Sequence, residues 1–186
     1  MSAIIQSEYK MSLKVASFDT DSADRIRLSA VLRYQQEAGE QHLGPAGLGW
    51  RDLSSHGIAF VASRWHAAIH RLPTLEEEVT LTTWHRNRKG PRFFRCYEWR
   101  DGAGNLLIEG VMQFALVSVT DHRLLRGDEF ARLVPPEEAV RYWALIMPFS
   151  AMPIKPQGCF TPGNTFSTTA PPSSTTRAGV ISCSRK

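Results

Sequence analysis

The stretch "RLSAVLRYQQEAGEQHLG", Arg27 to Gly44, decides how the rest of the chain must be arranged. The small residues Ala30, Ala38 and Gly39 recur on turns that also carry Gln36, Glu37, Glu40, Gln41 and His42. That pattern predicts a helix from about Ser29 to Leu43, with Ser29 as N-cap and with Gly44 and Pro45 of "GPAGLG" stopping it. Its small side can lie close on another surface, while its polar side faces either solvent or a pocket.

Around this helix the regular segments read as strands. "EYKMSLKVAS" sets Tyr9, Met11, Leu13 and Val15 against Lys10, Ser12 and Lys14, the period-two alternation of a half-buried strand. "FDTDSADR" is a turn and cap region, and "WRDLSSHG" a linker. Four more strands follow: "IAFVASRWHAAIHRL", "VTLTTWHRNR", "RFFRCYEWR" and "LLIEGVMQFALVSVTD", joined by "LPTLEEE", "KGP" and the hairpin signal "DGAGN". A helix of about 15 residues cannot cover both faces of five strands, so the sheet must curl around it or pair with a second copy. The prediction is an α+β hot-dog fold, an antiparallel sheet of about five strands wrapped around one central helix. In that architecture the pocket lies beside the helix, at the seam between two such units.

The 186 residues suffice for one domain with a proper core, and a hydrophobic fraction of 42% belongs to a globular chain rather than a disordered one. No apolar run reaches the roughly 18–20 residues of a membrane span, and the first residues lack a signal-peptide pattern, so a cytoplasmic protein is expected. Cys96, Cys159 and Cys183 are odd in number and widely spaced, unlike a disulfide scaffold or a zinc site. The net charge of +4 resides in the tail, because residues 139–186 hold five basic residues and no acid. Six of the eleven prolines lie beyond residue 147, among many Ser and Thr. Two regions are therefore expected, a folded domain over 1–138 and a largely disordered Pro/Ser/Thr-rich tail over 139–186.

"LRYQQEA", the strand end "SRWHAAIHRLP", and Trp84 followed by a basic turn and "WRDGAGNLL" are together similar to the first hot-dog domain of the acyl-acyl-carrier-protein thioesterases of bacteria and plants. The resemblance covers about residues 8 to 130. It implies hydrolysis of a fatty acyl thioester on the phosphopantetheine arm of acyl carrier protein, releasing free fatty acid for lipid metabolism. In that family the first domain largely forms the acyl cavity, and the second carries a catalytic motif like D-x-N-x-H-x-N-N. Here the last histidine is His122 and the asparagines are Asn87, Asn105 and Asn164, so that motif has no counterpart. After "VRY" the family pattern disappears, and the expectation is a second hot-dog lost by truncation or a change of reading frame. An alternative is a non-catalytic acyl-binding or dimerising remnant.

Thioester hydrolysis needs a nucleophilic water or carboxylate, a base, and donors for the oxyanion. Single-domain hot-dog thioesterases take the carboxylate from the strand-to-helix junction or from the helix, positions that Asp21 and Glu37 resemble. These two are the catalytic candidates, against a turn residue at Asp21 and a structural or substrate-lining role at Glu37. Gln36, Ser63 and Trp65 are the substrate-binding candidates, although Ser63 has no GxSxG setting. His42 reads as a residue favoured by the helix C-terminal dipole. His66 and His70 lie four strand residues apart, about 13 Å, too far to share a metal. Arg86, Arg88, Lys89 and Arg92, with Arg95, gather at a turn that could steer an acidic carrier protein, or be merely solvated. The aromatics between them follow strand alternation, so no nucleic-acid partner is expected. Exposed sheet edges and the absent partner domain favour a homodimer, with no cofactor and no metal.

Overall fold

The computed structural model describes residues 7–89, 91–126 and 129, with the backbone alone at 87–89. The tail expected over 139–186 lies outside the described residues. Strand β1 (Glu8–Lys14) leads through a 3-10 turn at Ser17–Asp19 into helix α1 (Leu28–Leu43). A second 3-10 turn, Gly44–Ala46, leads to the short helix α2 (Trp50–Ser55). Strands β2 (Ile58–Ile69), β3 (Glu78–Lys89), β4 (Arg92–Asp101) and β5 (Leu106–Ser118) complete the described chain. All five strands form one antiparallel sheet in the order β1-β3-β4-β5-β2, the hot-dog arrangement expected.

Two local expectations, the N-cap and the linker, are corrected. Ser29 is not the N-cap: α1 begins at Leu28 after an extended Arg27 that makes no side-chain cap bond. Tertiary pairing sets the start instead, because Ile26 N–H donates to the Pro73 carbonyl and Arg27 N–H to that of Asp19, each at 2.8 Å. Helix α1 ends at Leu43 as expected, and its C-cap is Gly44. It keeps right-handed helical angles, and the chain runs through Pro45, tolerated in the first turn of the next helical element, to Gly47 at φ +72°. The segment read as a linker is α2, where Asp52 Oδ2 accepts from Gly49 N–H at 3.1 Å and Glu40 Oε2 from Trp50 N–H at 2.8 Å.

The main core joins α1 to the concave face of the sheet, through Ala30, Val31, Ala38, Trp65, Leu81, Tyr97, Trp99, Ile108 and Met112. A second cluster, with Leu43, Leu48, Leu53, Phe93 and Leu116, sits where α2 closes on the end of α1. Phe94, Cys96 and Val111 form a third cluster with Trp84. The pairing of β2 with β5 has two irregular points. A Cβ on Gly110, which pairs with Ala67, would lie 2.5 Å from the His66 carbonyl oxygen. In β2 a bulge between Ala62 and Arg64 leaves Ser63 without a cross-strand partner.

Candidate functional site

Directly opposed residues of neighbouring antiparallel strands share a face, and one row across the sheet reads Trp65, Met112, Arg95, His85. The small side of α1 lies over it: a Cβ on Gly39 would be 3.6 Å from Arg95 Nε, an ordinary contact that only a small residue permits. Arg95 is 2% exposed. Its Nη1 donates to His42 Nδ1 and to Thr83 Oγ1, each at 3.1 Å, and its Nη2 donates to His85 Nε2. The Thr83 hydroxyl donates a hydrogen bond to the Cys96 carbonyl at 2.9 Å.

A guanidinium only donates, so both imidazole nitrogens that face it carry lone pairs. That arrangement assigns the Nε2–H tautomer to His42 and a neutral Nδ1–H ring to His85. Burial, then the charge of Arg95, then His42, hold His85 well below the usual imidazole range. The two rings lie 6.0 Å apart, and Tyr9 stacks on His42 at the same separation.

Beside this cluster, between the C-terminal half of α1, α2 and strands β2 to β5, lies a cavity of about 120 Å³. Leu43, Leu48, Leu53, Phe60, Phe93 and Phe114 give it an apolar side, with Phe60 and Phe93 packed edge to face at 5.0 Å. Gln36, Glu40, His85, Arg95 and Tyr97 give it a polar one. Trp50 stands 53% exposed at the opening. Tyr97 is buried with Thr83 directly opposite it on β3, and burial pushes its pKa up to about 12.

Of the residues singled out from the sequence, the structure brings Gln36 to the cavity. Glu37 is exposed and accepts from Gln41 Nε2 at 2.8 Å; Gln41 in turn accepts from the Tyr9 hydroxyl. Glu37 lies outside the lining, as does Asp21. Asp21 Oδ1 accepts from Ala23 N–H and Arg25 N–H, and its Oδ2 pairs with Arg25 at 3.4 Å. These bonds, Arg25's first, hold its carboxyl below the usual range. Ser63 exchanges hydrogen bonds with Gln113 on the exposed bulge. Trp65 is buried in the main core with Nε1 unpartnered, away from the cavity lining. Arg92 is exposed at the start of β4, next to the lining residues Phe93 and Phe94, and Arg86 is half-buried on β3. Arg88 and Lys89 are placed by backbone only.

Two readings change. Arg95 is not part of a solvated basic turn, and His42 is a buried acceptor for Arg95 rather than a residue held by the helix dipole alone. The signal for Arg95 was present in "RFFRCYEWR", where period-two alternation puts a cation in series with Phe93, Tyr97 and Trp99. Among the described residues no group of three or more His, Cys, Asp or Glu could hold a metal ion, and no helix is long and apolar enough to cross a membrane.

Residues 6–130 match the family described as the acyl-ACP thioesterase N-terminal domain. Among solved structures the chain is similar to a putative oleoyl thioesterase from Lactobacillus plantarum, with 22% identity, a TM-score of 0.65, and coverage of 73% of this chain and 50% of that one. It is similar to a 12:0-ACP thioesterase from Umbellularia californica, at 19% and 0.64 over 90% and 64% of the two chains. It also resembles a DHNA-CoA thioesterase from Staphylococcus aureus, at 17% and 0.64 over 74% and 92%. The chain thus spans half of the first of these proteins and under two thirds of the second. Identities at this level speak to the fold. No curated protein matches the chain.

Proposed function

The chain belongs to the acyl-ACP thioesterase N-terminal domain family, and from that membership we propose that it acts on fatty acyl thioesters of acyl carrier protein, in the hydrolysis that releases free fatty acid. In that reaction water adds to the thioester carbonyl, the C–S bond breaks, and the thiolate leaves with a proton. The observation that supports this reading is the cavity: an apolar side for a chain and a polar side beside it, between α1, α2 and the sheet. Arg92, the first residue of β4, with Arg86, Arg88 and Lys89 on the neighbouring strand β3, would give an acidic carrier protein a basic edge. The setting we propose is fatty acid biosynthesis in the cytoplasm, with the chain working as a homodimer and without a cofactor.

For the carboxylate that activates water we choose Glu37 over Asp21. Glu37 is exposed one residue from the cavity-lining Gln36, whereas Asp21 already accepts three hydrogen bonds. A second reading is favoured by the lining itself, which contains neither of these acids. In it the chain is the acyl-binding half of a longer thioesterase and holds substrate without turning it over.

Thiol release from acyl carrier protein loaded with acyl chains of several lengths tests both. Hydrolysis that falls about a hundredfold or more in Glu37→Gln, with Asp21→Asn close to wild type, is the expected result. Binding of the acyl carrier protein without release by the folded wild-type chain would instead establish the second reading.

A further inference from the structure

We propose that the Nδ1–H of His85 holds the carbonyl oxygen of the acyl thioester and is the donor that faces the charge built on that oxygen when water adds. This rests on the acyl-thioester reading above and names the contact made by its reacting group. A saturated fatty acyl thioester brings one strong acceptor, its carbonyl oxygen, and no donor. Five polar side chains belong to the cavity wall: Gln36, Glu40, His85, Arg95 and Tyr97. Arg95 is already bonded to His42, Thr83 and His85, and Tyr97 is 1% exposed with Thr83 opposite it. The Glu40 carboxylate is an acceptor, bonded to Trp50 N–H, and Gln36 is exposed to water. His85 remains, half-buried in the wall and opposite Arg95 in the row across the sheet.

The direction of the bonds around Arg95 decides what His85 can offer. Arg95 Nη2 only donates, so His85 Nε2 accepts, and the proton of the neutral ring sits on Nδ1. Among the described residues that Nδ1–H has no hydrogen-bond partner. Burial and the charge of Arg95 keep the ring neutral, so it does not turn into a second cation beside the first. A guanidinium bonded to Nε2 also polarises the ring and strengthens Nδ1–H as a donor. Arg95 is itself fixed by His42 and Thr83, so the donor is in place before substrate arrives. A neutral imidazole suits the task, because it polarises a carbonyl and gives up no proton. Water adds to the carbonyl carbon and its proton passes to the Glu37 carboxylate, while the carbonyl electron pair moves onto the oxygen held by His85. When the pair returns, the C–S bond breaks and the thiolate takes the proton from Glu37.

The experiment uses the full chain and two analogues of octanoyl-pantetheine that cannot be hydrolysed: the ketone in which a methylene replaces the thioester sulfur, and the same molecule with a methylene in place of the carbonyl. In isotope-labelled wild type, the nitrogen resonances of His85 should show protonation at Nδ1 alone before any ligand is added. The Nδ1 proton should then move downfield with the ketone and not with its counterpart, and the carbonyl stretch of the bound ketone should fall below its value in water. By calorimetry the ketone is expected to bind about tenfold tighter than its counterpart. His85→Leu should remove that preference, and His85→Gln, which offers Arg95 an acceptor and the ligand an amide donor, should keep part of it. A ring protonated at Nε2, a proton resonance or carbonyl stretch unmoved by binding, or a preference intact in His85→Leu would each overturn the proposal while leaving acyl binding intact. Binding of neither analogue would instead remove the acyl-binding reading on which it rests.

Discussion

His85 accepts a hydrogen bond from a permanently charged neighbour, and it can do so only while neutral. The unfolded chain protonates this residue near its ordinary value of 6.5, whereas the folded chain resists until far lower pH. Above about pH 6.5 neither state carries the proton and the group contributes no slope. Below it the unfolded state binds more protons, so stability declines as pH falls, by at most about 1.4 kcal/mol per pH unit from this one residue. Glu77 obeys the opposite chemistry in a different window. Its hydrogen bond from Arg71 holds its pKa at about 2, so its contribution is complete above 4.5 and lost only as pH falls towards 2. Urea unfolding between about pH 7 and pH 5 therefore separates the imidazoles from Glu77, and a variant at position 85 separates His85 from the other histidines. The midpoint should drop over that interval in wild type and drop much less in His85→Gln, which retains an acceptor for Arg95 without a titrating ring.

Elements differed in how openly the chain announced them. The five strands were legible because alternation such as Tyr9, Met11, Leu13 needs only local sequence, and each strand lies within a few residues of its predicted run. Helix α2 was not, since six residues are too few to display a period, and its ties to Glu40 and Asp52 are invisible without the fold. The start of α1 was misplaced for a related reason: Ser29 is a good cap by type, but contacts with Asp19 and Pro73 decide where the backbone turns helical. A glycine inside β5 was a further signal, because strand interiors favour it chiefly where another backbone comes close. Gly110→Ala should force β5 and β2 apart against the His66 carbonyl, a backbone atom that cannot rotate away. We expect a loss of about 2 kcal/mol or more by chemical denaturation, and Gly39→Ala, which meets the Arg95 side chain at an ordinary distance, should cost nothing comparable.

At the scale of the whole molecule, the site was less legible than the fold because its cluster is assembled from three elements. His42 comes from α1, Thr83 and His85 from β3, and Arg95 and Tyr97 from β4, under the roof that α2 helps to make. Among the catalytic, substrate-binding and docking candidates whose side chains are described, Gln36 reaches that space, next to Glu40 and Arg95. Among the described residues the sheet ends on two strands, β1 and β2, each paired on one side. Sedimentation of the purified 20.9 kDa chain should give a particle of twice that mass if these open edges are satisfied by a second copy; a monomer would rule out the homodimer. The bulge at Ser63 bears on how such an edge behaves in a crowded cell. A ladder added along β2 cannot run through the point where one residue has no opposite number, so an incoming strand meets two short registers instead of one long one. The kink thus works as a gatekeeper, admitting a partner shaped to the interruption while denying fibril-like stacking the uninterrupted template it needs.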